Sequence, residues 1–231
     1  MGWLDWWLIP PCPLCQRPAK NVFCPDCQRR LQADRVSSWP LETTPWPLYA
    51  WGIHRGGLRQ AIYKLKYEGQ RRIGSLLGEW LGSCWREHSQ QRQPYTVIPI
   101  PLHRERLQQR GYNQAALISQ AFCEQTGLRH LPQGLVRVRA TAAQHELNPL
   151  QRQQNLSGAF ALKSIPSTPV LLVDDIYTTG STIRAAEQVL ATAGIRLVGV
   201  VVAARTQPAA TQAQTLTPLW PTPPPPRPLQ T

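Results

Sequence analysis

Apolar positions along the chain set out its elements. In IGSLLGEWLGSCW (73–85), Ile73, Leu76, Leu77, Trp80, Leu81 and Cys84 recur at three- and four-residue steps, the stripe of an amphipathic helix. LRQAIYKLKY (58–67) reads as a helix, and GYNQAALISQAFCEQTG (111–127) as a helix stopped by Gly127. VLLV (170–173) and LVGVVVA (197–203) are apolar without a break, as strands buried on both faces are. TIRAAEQVLATAG between them reads as a helix ending at Gly194. TVIPIPL (96–102) reads as a strand that ends at prolines, and LVRVRA (135–140) alternates as a strand does. Strand, helix, strand with continuous apolar strands predicts an α/β domain: a parallel sheet with right-handed crossovers, flanked by helices.

The pattern divides the chain into three parts: a cysteine-bearing module at 1–35, the α/β domain at 45–205, and a tail at 207–231. The tail holds 8 prolines and one charge, Arg227, with no apolar period, so it reads as disordered or polyproline chain. Its PTPPPPRP run could dock on a proline-reading domain or be passive. At the other end, Trp3, Trp6 and Trp7 are expected to dock a short helix. No apolar run approaches the roughly 18 residues of a membrane span. MGWLDWWLIPPC has no basic leader, so a cytoplasmic chain with reduced thiols is expected.

Charge narrows the partners. The formal net charge is +12, and residues 52–163 hold 16 Lys/Arg against 6 Asp/Glu, an excess of 10. Such a concentration suits an anionic partner, either phosphates on a small molecule or a nucleic acid backbone. The plainer alternative is a solvated surface that aids solubility.

CPLCQRPAKNVFCPDC sets Cys12, Cys15, Cys24 and Cys27 as two C-x-x-C pairs. Two such knuckles make a tetrahedral all-sulfur site, for which zinc is the default ion. With four thiolates there is no open position for chemistry, so the site would be structural. A redox motif would need only one pair. Cys84 and Cys123 fall on helical faces and are expected in the core.

The segment VLLVDDIYTTGSTI (170–183) carries the densest chemistry. Asp174 and Asp175 emerge at the carboxyl end of an apolar strand, the edge where open α/β sheets bind ligands. Thr178, Thr179, Gly180, Ser181 and Thr182 then lead into a helix start, where unpaired N–H groups and the helix dipole favour an anion. Hydroxyls add donors, and the glycine lets the backbone approach. A phosphate fits that loop, and the carboxylates suit sugar hydroxyls, directly or through a cation: together, a ribose 5-phosphate clamp. Neither a P-loop nor a G-x-G-x-x-G fingerprint is present. The alternative is that these residues only cap a turn and a helix.

This segment resembles the phosphoribosyl-pyrophosphate (PRPP) signature of type I phosphoribosyltransferases, and the likeness extends to the ComF family (ComFC- and GntX-like proteins). PPCPLC…FCPDC resembles that family's zinc knuckles, RGGLRQAIYKLKYEGQRRIGSLLGEWL the segment after them, and VIPIPLHRERLQQRGYNQA its pyrophosphate-loop region. RVRATAAQHELNPLQRQQNLSGAF resembles its flexible loop, so the match runs in order over about residues 1–205.

The resemblance implies a five-stranded type I phosphoribosyltransferase-like core with a small hood, binding PRPP with Mg²⁺. Asp174 and Asp175 would hold the ribose hydroxyls, and Thr178 to Thr182 the 5-phosphate. The pyrophosphate loop would be Leu102 and His103 with Arg104, Arg106 or Arg110 nearby, since a guanidinium fork pairs with phosphate oxygens. Those three arginines could also be only a basic helix face. Residues 139–157 are long and polar, as a lid is, with Arg139, Gln144 and Arg152 as candidate contacts on closure. An ordinary surface loop is the alternative.

Two functions follow. One is a Mg²⁺-dependent phosphoribosyltransferase with an unidentified acceptor. It is expected not to depend on glutamine, because the chain begins Met1-Gly2-Trp3 and leaves no room for a glutaminase domain. The other is a non-catalytic protein of natural competence that handles single-stranded DNA, alone or with competence proteins, and keeps the pocket as a PRPP sensor. The basic middle, the zinc knuckle and nine tryptophans suit base stacking and phosphate pairing.

Overall fold

The computed structural model describes residues 9–43, 45–88, 93–139 and 158–207. Trp3, Trp6, Trp7, Gln144, Arg152 and all but the first residue of the tail lie outside the described residues. In chain order the elements are α1 (Pro25–Gln32), β1 (Leu48–Ile53), α2 (Gly56–Tyr67), α3 (Arg71–His88), β2 (Thr96–Pro99), α4 (Arg104–Arg110) and α5 (Gln114–Thr126). β3 (Arg129–His130), β4 (Leu135–Arg137), β5 (Phe160–Leu162), β6 (Val170–Tyr177), α6 (Ser181–Thr192) and β7 (Leu197–Arg205) follow.

Five strands form one parallel sheet in the order β1-β7-β6-β2-β3, while β4 and β5 pair antiparallel as a separate ribbon. The unbroken apolar run of β6 has its reason in the layers. Leu171 and Val173 pack into a core with Ile73, Leu77 and Leu81 of α3 and Ile118 and Phe122 of α5. Val170 and Leu172 face the other way, toward Ile183, Ala186 and Leu190 of α6 and toward Leu135 and Phe160 of the ribbon. A central strand covered on both faces has no position for a polar residue until it leaves the layers.

α3 lies close on α5 because of three glycines four residues apart, Gly74, Gly78 and Gly82. A Cβ at Gly78 would stand 2.3 Å from the Ile118 carbonyl oxygen, and one at Gly82 2.4 Å from Gln125 Cβ. The helices meet almost backbone to backbone.

Several expected boundaries move. The helix expected from 111 starts at Gln114: Asn113 caps it, its Oδ1 accepting from Ala115 N at 3.0 Å, and Gly111 closes the preceding α4 in the left-handed conformation. LVRVRA does form a strand, but a short one in the ribbon rather than in the main sheet, since only Leu135 of β4 is fully buried. The structure adds β1, α1, α4, β3 and β5.

The cysteine knuckle shares the core of the sheet. Phe23 and Leu31 pack with Trp51, Leu58 and Leu65, and Trp80 stacks on Trp51 at 4.8 Å. Asp34, 6% exposed, ties the junction: its carboxylate accepts from Arg55 Nε at 3.1 Å and from Leu58 N, at the start of α2, at 3.3 Å. Among the described residues no helix is long and apolar enough to cross a membrane.

Candidate functional site

The acid pair sits where two neighbouring strands end at different heights. β2 stops at Pro99, opposite Val173, whereas β6 continues through Asp174 and Asp175 to Tyr177, still in register with β7. Both acids therefore overhang the end of β2. The strand order changes direction beside this step, the crevice where open α/β sheets take ligands. The expectation that the strand ends before the acids is corrected: the ladder to β7 holds both of them.

An acid pair exposed at a strand end would contribute little to stability, but this pair is not fully exposed. Asp175 is only 4% exposed, and its Oδ2 lies 2.5 Å from the Lys66 ammonium of α2. That oxygen has no aligned hydrogen bond besides the ion contact. Asp174 Oδ1 accepts from Asp175 N at 2.8 Å. Burial and then the neighbouring Asp175 charge push the Asp174 carboxyl well above the usual carboxylate range. Burial works against ionising Asp175 too, but Lys66 outweighs it and holds that carboxyl below its ordinary value. The two carboxyls are pushed in opposite directions, so Asp175 gives up its proton at lower pH than Asp174. Hard, clustered carboxylate oxygens, one without an aligned donor, suit Mg²⁺ by donor type.

The loop after β6 is shaped for close approach. Gly180 has φ +71°, and a Cβ there would stand 2.4 Å from the Tyr177 hydroxyl, so both conformation and space call for glycine. Thr179 Oγ1 donates to Ser181 Oγ at 3.1 Å, and Arg184 donates back to the Thr179 carbonyl at 2.6 Å. Gly180, the N-cap residue of α6, has no side chain with which to cap the first turn of that helix. Its N–H groups point into the mouth of the loop, with Thr178 exposed and Thr182 half-buried beside them.

The other predicted residues are spread around this centre. Leu102 and His103 are half-buried in the turn after β2, beside the overhang. Arg104 and Arg106 are exposed on α4, whereas Arg110 is half-buried, donates to Gln114 and lies over the Tyr67 ring at 5.5 Å. Of the three, Arg110 acts electrostatically on Asp175. Arg139 is exposed at the end of the described ribbon, while Gln144 and Arg152 are not among the described residues.

Three residues that sequence reasoning missed join the site. Lys66 comes from α2, Arg137 from β4 and His54 from the turn after β1. Burial and nearby Arg106 lower the Arg137 basicity against the opposing pull of Asp174, so this guanidinium lies within electrostatic reach of Asp174. Burial and then Lys66 push His54 down from its ordinary value. Each is a single basic residue in a basic stretch, and only the fold brings it to Asp174 or Asp175.

The four cysteines do come together. One sulfur from each of Cys12, Cys15, Cys24 and Cys27 lies within 4.8 Å of the others. Metal–sulfur bonds of about 2.3 Å in a tetrahedron set sulfur–sulfur spacings of about 3.8 Å, so the cluster needs little adjustment to hold an ion. Arg17 donates to Cys15 Sγ at 3.4 Å and to Cys24 Sγ at 3.7 Å, and pairs with Asp26 at 2.7 Å. Its hydrogen bonds bring the Cys15 thiol down to about 6, whereas burial raises Cys27. Cys84 and Cys123 are buried core residues, as expected.

Competence protein F of Haemophilus influenzae is 31% identical to this chain over 200 residues, covering 82% of this chain and 87% of that protein. The chain belongs to the ComF family. A second ComF relative, the DNA utilization protein YhgH of Escherichia coli K12, is 31% identical over 194 residues, 82% of this chain and 81% of its own length. The phosphoribosyl transferase domain family matches residues 109–215, the stretch that includes β6, the hydroxyl loop and β7. Among solved structures, the adenine phosphoribosyl transferase of Trypanosoma brucei overlays with a TM-score of 0.38 at 10% identity, over 83% of this chain and 88% of its own. That likeness is too slight to support a functional reading. Within the ComF family, this chain has the phosphoribosyltransferase-like parallel sheet flanked by helices and an N-terminal cysteine cluster able to hold a metal ion.

Proposed function

We propose that this ComF protein binds PRPP with Mg²⁺ and transfers its phosphoribosyl group to an unidentified acceptor. One observation carries the reading: a helix start whose N-cap, Gly180, carries no side chain stands directly beyond two clustered carboxylates at a sheet switch point. The ribose hydroxyls donate to Asp174 and Asp175. The 5-phosphate accepts from the amides and hydroxyls of Thr178, Thr179, Gly180, Ser181 and Thr182. Leu102 and His103 line the pyrophosphate end with Arg104, Arg106 and Arg110, and Arg139, Gln144 and Arg152 close over it. A bound Mg²⁺ supplies charge neutralisation at the pyrophosphate. The acceptor lone pair forms a bond to ribose C1 as the C1–oxygen bond breaks, and pyrophosphate leaves with that electron pair. Water must be kept out while this happens, which is the work of a lid. The cysteine cluster holds Zn²⁺ as a structural ion.

The test is calorimetric titration with PRPP and Mg²⁺, followed by pyrophosphate release against panels of bases and amines. Saturable binding that Asp174→Asn abolishes, with the fold retained, is the expected result. No binding to the wild-type protein overturns the reading. PRPP binding without pyrophosphate release for any acceptor removes the transfer step.

A second reading is favoured by the names of the relatives, a competence protein and a DNA utilization protein. In it the chain handles single-stranded DNA during uptake and uses the pocket as a PRPP sensor. The net charge of +12 supports contact with a phosphate backbone. Single-strand affinity that falls steeply with salt is expected, and salt-independent affinity, or none, rejects it.

A further inference from the structure

A cavity of about 520 Å³ opens beside the acid pair, between α2 and the cysteine knuckle. Its walls include Leu14 of the knuckle, His54, Tyr63, Lys66, Tyr67 and Ile176. Two of these residues join it to the site already described: Lys66 pairs with Asp175, and Ile176 is the next residue of β6. Tyr63 and Tyr67 stand one turn apart on α2, with ring centres 4.9 Å apart, and remain 56% and 60% exposed. Two large rings left open at the mouth of a basic cavity are costly without a partner, and their flat faces suit a flat partner.

We propose that this cavity is a subsite for a planar nucleobase ring, stacked against Tyr63, with Leu14 of the cysteine knuckle also in its wall. The chemistry of the walls specifies the ring. A purely aliphatic ligand would leave Lys66 and His54 unused. A heteroaromatic ring offers a π-face to tyrosine and edge atoms to an imidazole that is neutral at neutral pH, with one donor and one acceptor. The size falls within the range of small-molecule sites. The base arrives either free, as an acceptor for the transfer proposed above, or as one residue of a single strand whose phosphates meet the basic rim. The placement rests on the acid pair being the ribose site, but the cavity and its tyrosines can be tested apart from it.

The experiment titrates the full chain with adenine and, separately, with a short oligodeoxythymidine, with and without PRPP and Mg²⁺. The variants are Tyr63→Ala and Tyr63→Phe. Tyr67 is kept, because Arg110 lies over it. Stacking one base on an aromatic side chain corresponds to at least about a fivefold change in affinity. Tyr63→Ala is expected to weaken one of the two probes by that factor or more, Tyr63→Phe to retain it, and PRPP binding to stay within about twofold. Loss for adenine identifies a free base, and loss for the oligonucleotide alone identifies a strand. If neither probe binds, or Tyr63→Ala binds both as the wild type does, the proposal is overturned. It is overturned equally if the Phe variant loses as much as the Ala variant. If PRPP fails to bind while Tyr63 still governs a probe, the PRPP reading falls and the subsite stands.

Discussion

Asp175 has Lys66 as its counter-ion, and both are taken largely out of water, at 5% and 19% side-chain exposure. Removing one partner of such a pair costs about 3–5 kcal/mol, because the other charge stays buried. Lys66→Met should therefore lower the urea midpoint markedly, whereas truncating exposed Arg104 should not move it. Asp174 behaves in the opposite sense. Its raised folded-state value means that the folded chain holds a proton which the unfolded chain, with a carboxyl near about 4, has already released. Its contribution to stability falls as pH rises above about 4, and levels off once Asp174 itself ionises. The Asp175 contribution is present above about 4 and is lost as pH falls through its lowered value. Asp174→Asn should therefore gain on the ligand-free wild type as pH is raised, read as a widening gap between denaturation midpoints. A constant gap across that range argues against the raised Asp174 value. The acids and the loop hydroxyls could be read from sequence because they adjoin in the chain. Lys66, Arg137 and His54 could not, since each reaches the acids from a different element.

At the scale of elements, the loop at Gly180 and the α3–α5 contact both depend on missing side chains. Gly180→Ala adds a Cβ against the Tyr177 hydroxyl at a positive φ, so it should abolish PRPP binding while the melting temperature falls only slightly. Gly78→Ala drives a methyl into the Ile118 carbonyl with no flexible side chain to yield. Overpacking of this kind costs about 1–3 kcal/mol, which chemical denaturation would resolve. The helical stripe of α3 and the apolar runs of β6 and β7 announce their elements, because burial on a helix face or on both sheet faces leaves a periodic mark. β1, β3 and β5 leave none. They are short or lie at edges, and tertiary pairing rather than local pattern makes them strands.

For the whole molecule, the knuckle is continuous with the α/β core through Phe23, Leu31 and Trp51. Chelation, or Cys12→Ser with Cys15→Ser, should therefore shift the single calorimetric transition of the chain to lower temperature. A separate early transition with the main one unmoved would mean that the module melts alone. The parallel fold was legible from the strand–helix–strand pattern. The strand order was not, because nothing local says that β1 pairs with β7. That pairing sets a timetable. As the chain leaves the ribosome, the knuckle and β1 appear first, but β1 sits at an edge of the sheet, and β7, its strand neighbour among the described residues, is the last strand made. The cysteine-bearing end must wait, half-housed, through the synthesis of nearly everything else before its place in the sheet exists. A nascent chain halted before Leu197 should hold its cysteines open to thiol reagents, and one released past Arg205 should shield them.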